Sequence, residues 1–186
     1  MKKHIITLGG MPGSGKSSTG KELAKVLGYQ RFSSGDFFRE MAAKRGISVE
    51  EINFQAETDV SIDHETDEWV REKGAREDII IDSRTAFHWI PEAFKVFLKL
   101  DSHVAAERTF EQIQNEGRSS QDALSADDVY QKTVARIESE KKRYKELYGI
   151  DYMEESQYDL VIDTGPNDLM AVTKLIADAY QKWLES

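Results

Sequence analysis

The chain has no cysteine among its 186 residues. Disulfides, thiolate metal sites and thiol nucleophiles are therefore excluded, and a reducing compartment is a natural setting. It also has no apolar stretch approaching the roughly 20 residues of a membrane span. No linker, low-complexity segment or internal repeat interrupts it, so residues 1–186 read as a single domain. Cations are in deficit: 25 lysines and arginines face 34 aspartates and glutamates, for a net charge of −9. Sequence-independent nucleic-acid binding depends on cations neutralising phosphates, which sets that class aside. Lys2 and Lys3 precede only a short apolar run, which leads directly into a glycine loop. Signal cleavage would destroy that loop. A cytoplasmic protein is expected, with neither nucleic acid nor membrane as partner.

What is present is concentrated in Gly10-Met11-Pro12-Gly13-Ser14-Gly15-Lys16-Ser17. Every specified position of the phosphate-cradling pattern of a nucleoside-triphosphate site is filled. The apolar run His4–Leu8 before it and the helix-like stretch Lys16–Leu27 after it predict strand, glycine loop, helix. Gly10, Gly13 and Gly15 lack a Cβ and let amide N–H groups close around a β-phosphate. The first helical turn, Lys16 to Ser18, adds unpaired N–H groups and the positive end of a helix dipole. Lys16 supplies a mobile charge for the β- and γ-phosphates, and Ser17 offers a hydroxyl to Mg²⁺.

Further strands are predicted at Tyr29–Phe32, Asp78–Asp82, Ala93–Leu100 and Tyr158–Asp163, the second of these buried on both faces. Helical stretches lie between them. Gly28, Gly46, Gly74, Gly117 and Gly149 stand where helices end. Ser48 and Glu51 form a capping-box signature for a helix from Val49. Leu169, Val172, Ile176, Ala179 and Trp183 make a stripe that packs a last helix on the sheet. Alternating strands and helices imply a parallel sheet covered on both faces. Ligands then bind beyond the carboxyl ends of the strands.

Three constellations fall at those ends. Ser33-Ser34-Gly35-Asp36-Phe37-Phe38-Arg39 opens a helix. Ser34 reads as a cap or a ligand contact, and Arg39 as a planar fork for phosphate or as a surface charge. Asp82-Ser83-Arg84 follows the isoleucine run. Asp82 suggests the acidic residue of a Mg²⁺ site, and Arg84 a phosphate contact, unless the two simply pair with each other. Beyond the fourth strand come Arg108, Arg118, Arg136 and Arg143. The polar stretch between Glu116 and Asp128 predicts a flexible lid, about residues 112–128. Arg136 and Arg143 share one helix face. They either close over transferring phosphate or belong, with Glu138, Glu140, Lys141 and Lys142, to a solvated helix laced by ion pairs.

On these segments the chain resembles the nucleoside monophosphate kinases, and within them the cytidylate kinase-like family. The resemblance adds Ala106-Glu107-Arg108 and Arg143-Tyr144-Lys145-Glu146-Leu147-Tyr148-Gly149-Ile150-Asp151 to the motifs above. It implies an α/β three-layer P-loop fold with a five-stranded parallel sheet, a small monophosphate-binding helical segment at 35–74, and a lid. It implies phosphoryl transfer from ATP with Mg²⁺ to CMP or dCMP. Residues 10–18 and Arg108 would hold ATP. Ser34, Gly35, Arg39 and Arg84 would hold the acceptor. Ser17 and Asp82 would hold the metal, and Lys16, Arg84, Arg136 and Arg143 would carry catalysis. Where adenylate kinases carry a second lid-entry arginine, this chain has Gln112; Arg118 is the candidate substitute. Asp63 and Asp67 either read the base or cap and solvate a helix. A monomer is expected, with a dimer left open. An adenylate kinase-like enzyme and a kinase acting on a hydroxyl, of shikimate or nucleoside type with Asp36 as base, remain open, as does a regulatory nucleotide-binding module. The lack of an Asn-Lys-x-Asp segment argues against a guanine-nucleotide switch.

Overall fold

A computed structural model describes residues 2–115 and 125–186. Five strands form one sheet: β1 (Ile5–Gly10), β2 (Gln30–Ser33), β3 (Ile79–Asp82), β4 (Phe94–Lys99) and β5 (Leu160–Asp163). They run in the order β2-β3-β1-β4-β5 and every pairing is parallel. The predicted sheet is thus present, with strand ends shifted by one or two residues. The order places β1 at the centre and β3 and β4 beside it. The loops after these strands therefore meet at one rim.

The alternation of β1 explains the layers. Ile6 and Leu8 face α1 (Lys16–Leu27) and α8 (Leu169–Glu185), where Leu23, Val172, Ile176 and Tyr180 are buried. Ile5 faces the other side, packing with Ile79, Ile81, Val70 of α4 (Val60–Gly74), Ala86 of α5 (Ala86–Trp89) and Ile90. A third cluster, Phe87, Phe97, Tyr144, Tyr152 and Tyr158, extends the second layer towards the β4–β5 edge. The remaining helices are α2 (Ser34–Arg45), α3 (Val49–Gln55), α6 (Ser102–Asn115) and α7 (Ala126–Tyr148). Among the described residues no helix is long and apolar enough to cross a membrane.

Gly28, Gly46 and Gly149 end helices in the left-handed conformation, as expected. Gly74 does not. It is the last helical residue of α4, and its role is close packing: a Cβ there would lie 2.6 Å from Ile90 Cδ1. The capping box at Ser48 and Glu51 is complete. In the stripe of α8, Val172 and Ile176 are buried and Ala179 and Trp183 pack beside them, but Leu169 is exposed at the helix start. Gly117, Arg118 and most of the predicted lid lie outside the described residues. The ends of the 112–128 range are helical, in α6 and α7.

Candidate phosphoryl-transfer site

The glycine loop has the conformation its composition demands. Gly10, Gly13 and Gly15 all have positive φ, at 133°, 77° and 86°. At Gly10 space is as restrictive as angle, since a Cβ would stand 2.3 Å from the Leu98 carbonyl oxygen of β4. Ser14 is fully buried and donates its hydroxyl to the Met11 carbonyl. The half-buried Lys16 curls back over the loop, donating to the carbonyls of Gly10 (2.8 Å) and Met11 (2.6 Å). Desolvation, then the neighbouring positive charge of Arg84, lower its ammonium to about pKa 7. Pro12 and Gly13 line the adjoining cleft, while Ser17 and Ser18 are exposed on the first turn of α1.

Asp82 ends β3 beside this turn, and Ser17 donates to its Oδ2 at 3.1 Å. A hydroxyl and a carboxylate converging at a phosphate loop are the oxygen donors that Mg²⁺ takes. Among the described residues there is no group of three potential metal-ligating side chains. The same Asp82 oxygen accepts from Arg31 Nη2 at 3.0 Å.

Arg84 does not pair with Asp82. Its Nε lies 2.7 Å from Oε2 of Glu140 on α7, at an angle outside hydrogen-bond geometry. Arg136 Nε donates to the other oxygen of Glu140 at 2.8 Å, and Tyr152 donates its hydroxyl to Oε2 at 3.2 Å. Glu140 is 2 % exposed. Burial opposes its charge, but Arg84 and Arg136 hold its carboxyl below the ordinary range. Burial likewise opposes the charge of Arg84, and Glu140 more than restores it. The solvated-helix reading is therefore wrong for Glu140, which is the buried centre between two arginines. It fits better for Glu138 and Lys142, which are exposed.

Arg143, which lines the cleft beside the loop, also has a carboxylate partner. It is buried and grips Asp63 of α4 through Nε (2.9 Å) and Nη2 (3.3 Å). Asp67, one turn on, accepts from Thr85 Oγ1 at 2.9 Å and from Tyr148. Neither aspartate caps or solvates a helix; both fasten α4 to the rest of the molecule. Burial raises the Asp63 carboxyl above its ordinary range, with Arg143 opposing that shift.

At the start of α2 the cap is Ser33, whose hydroxyl accepts from the Asp36 amide; Ser34 instead donates to the Asp82 carbonyl. Arg39 is exposed and paired with Asp36. Its guanidinium lies over Gly35, where a Cβ would be 3.7 Å from Nη1. Asp36 is also bound by Arg31 Nη1 at 3.2 Å. Burial raises its carboxyl, and Arg39 and Arg31 bring it below the ordinary range. Arg108 donates to the carbonyls of Thr164 and Gly165, and Thr164 in turn donates to the Ser14 carbonyl. Arg108 is thus fixed beside the glycine loop.

Several of these groups line two adjoining spaces. A cleft of 630 Å³ runs from Pro12 and Gly13 between α3, α6 and α7. A recess of 40 Å³ lies deeper, lined by Ser34, Gly35, Phe38, Asp63, Thr66, Arg84 and Glu140 among others. Asn53, Arg136 and Arg143 line both. A second hollow of 630 Å³, at Lys2, Asp159 and Trp183, opens at the opposite end of the strands and touches none of this chemistry. Arg31, Glu140 and Tyr152 carry no motif in the sequence. Only the four-residue spacing from Arg136 hinted at Glu140.

Residues 5–166 match the family model described as the cytidylate kinase-like family. The cytidylate kinase of Methanocella arvoryzae is 38% identical over 176 residues, covering 94% of this chain and 95% of that protein. The cytidylate kinase of Methanothrix thermoacetophila is 39% identical over 161 residues, covering 87% and 88%. Among solved structures, the shikimate kinase of Acinetobacter baumannii superposes with a TM-score of 0.65 over 97% of this chain and 94% of its own. At 17% identity that likeness concerns the fold alone.

Proposed function

This chain belongs to the cytidylate kinase-like family, and we propose that it transfers the γ-phosphoryl group of ATP to CMP or dCMP. One observation carries the reading: the glycine loop, through Pro12 and Gly13, lines one cleft with Arg136, and Arg136 lines the adjoining recess with Arg84. Two anion-holding groups therefore meet at one site. A triphosphate in the loop and a phosphorylated acceptor in the recess would face each other between them.

An oxygen of the acceptor phosphate attacks the γ-phosphorus. The bond from that phosphorus to the β–γ bridging oxygen breaks, and ADP leaves. The acceptor is already an oxyanion, so no general base is required. The chain's contribution is position and charge. Lys16 follows the transferring group, and Arg84 and Arg136 neutralise it and the acceptor phosphate. Ser34, Gly35 and Arg39 hold the acceptor, and Arg108 borders the donor. Arg143 acts at one remove, holding α4 against α7. Ser17 and Asp82 would hold Mg²⁺, which offsets phosphate charge when bound. Residues 35–74 serve as the acceptor-binding segment and about 112–128 as the lid, in a cytoplasmic monomer. A hydroxyl acceptor is the poorer reading, because Asp36, the candidate base, is pinned between two arginines.

The test is ADP release across CMP, dCMP, UMP, AMP, GMP and dTMP, with shikimate and cytidine as controls. CMP and dCMP should lead. A preference for AMP would overturn the acceptor base, and turnover of cytidine or shikimate alone would overturn the acceptor class.

A further inference from the structure

Arg31 has no place in the mechanism above, yet it is largely buried beside it and paired to two carboxylates. It projects from β2 with its side chain 13% exposed. Its Nε is buried without a hydrogen-bond partner. The stem runs against Gly20 of α1, where an added Cβ would lie 3.0 Å from Nε and 3.2 Å from Cδ. A guanidinium this desolvated needs its two outer nitrogens well paired. They are: Nη2 meets Asp82 Oδ2 at 3.0 Å and Nη1 meets Asp36 Oδ2 at 3.2 Å.

Each carboxylate has a second partner. The Asp82 oxygen also takes the Ser17 hydroxyl. The other oxygen of Asp36 takes Arg39, whose guanidinium overhangs Gly35 at the edge of the recess. The result is a continuous chain of contacts, Ser17–Asp82–Arg31–Asp36–Arg39. It runs from the donor loop to the acceptor edge without passing through either substrate. The rigid planar fork of arginine can hold two carboxylates at once in fixed directions, which a lysine cannot.

We propose that Arg31 is a positioning residue that aims Arg39 at the acceptor phosphate through Asp36 while anchoring Asp82 at the donor loop. This rests on the acceptor-binding reading of Arg39. Loss of Arg31 releases Asp36, and Asp36 then no longer fixes its arginine. Around metal sites, outer partners that orient a ligand typically contribute about 10- to 100-fold to affinity or activity, and we expect the lower end here.

The readout is CMP affinity by calorimetry in metal-free buffer, with no turnover involved. Arg31→Met keeps the stem and removes both pairings. It should weaken CMP by about tenfold. Asp36→Asn, at an exposed position, should give a similar loss and keeps the test open should Arg31→Met not fold. In an Arg39→Met background neither change should weaken CMP further, whereas a merely structural role would weaken it equally in both backgrounds. Arg31→Lys should recover only part of the loss. Additive losses, or unchanged affinity in both Arg31→Met and Asp36→Asn, would overturn the relay and leave the function standing. Unchanged affinity in Arg39→Met alone would overturn the relay together with the assignment of Arg39.

Discussion

Lys16 shows how far one residue's state depends on its neighbours. Burial and Arg84 bring its ammonium to about pKa 7, against an ordinary 10.5. Between these two values the folded chain holds fewer protons at this site than the unfolded chain. This group's contribution to stability therefore rises with pH across that window and declines on acidification towards 7. A triphosphate beside Lys16 reverses the balance, because an anion favours the charged form. ATP binding at pH 8 should accordingly take up about one proton, fading towards pH 6. Calorimetry in buffers of different ionisation enthalpy measures it, and no uptake at pH 8 would mean Lys16 is charged beforehand. Glu140 is the second residue whose role is local. Glu140→Gln keeps the volume but leaves Arg84 and Arg136 to repel each other. We expect kcat to fall by about a hundredfold, as misplacement of a positioned group by an ångström does. A kcat within twofold of the parent would show that the arginines need no buried anion.

Between elements, the decisive contact is Asp63 of α4 with Arg143 of α7. Asp63→Ala leaves a buried guanidinium without an anionic partner, with only the Ser139 hydroxyl still bonded to it, and should cost about 3–5 kcal/mol. Replacing both, as Asp63→Leu with Arg143→Met, should recover most of that stability while leaving CMP turnover impaired. Denaturant titration separates the two outcomes, and equal instability in both variants would mean that volume matters here more than charge. The boundaries of α1, the start of α3 and the last turns of α2 and α7 were legible in the chain, because glycine loops, capping boxes and left-handed glycines act over a few residues. Gly74 was misread. Its sequence context is that of a helix end, but its smallness is required by Ile90, which is distant in the chain and adjacent in space.

For the molecule as a whole, the parallel order β2-β3-β1-β4-β5 brings the ends of β1, β2 and β3 to one rim. On the proposed function the donor and acceptor sites adjoin there, and a ligand bridging both should stabilise the protein more than either nucleotide at the same concentration. At 100 times its Kd, a bisubstrate joining adenosine and cytidine through phosphates should add about 2.7 kcal/mol. For a chain of this size that is roughly 5–11 °C in Tm. A shift no larger than that with ATP at the same concentration would mean the two sites are not contiguous. Residues 10–17, the strand pattern and the family resemblance were readable from the chain because each is local or periodic: a backbone loop that needs glycine, a buried run that needs isoleucine. The partners of the charged groups were not. Proximity in sequence offers Arg84 a pairing with Asp82 as an alternative to phosphate, yet folding delivers it to Glu140, 56 residues away, and gives Asp82 to Arg31. Arg143 resembles any helical surface arginine until α4 closes over it. The loop chemistry is encoded in adjacent residues, whereas the pairing of buried charges is selected only when low-dielectric surroundings make every unpaired one costly.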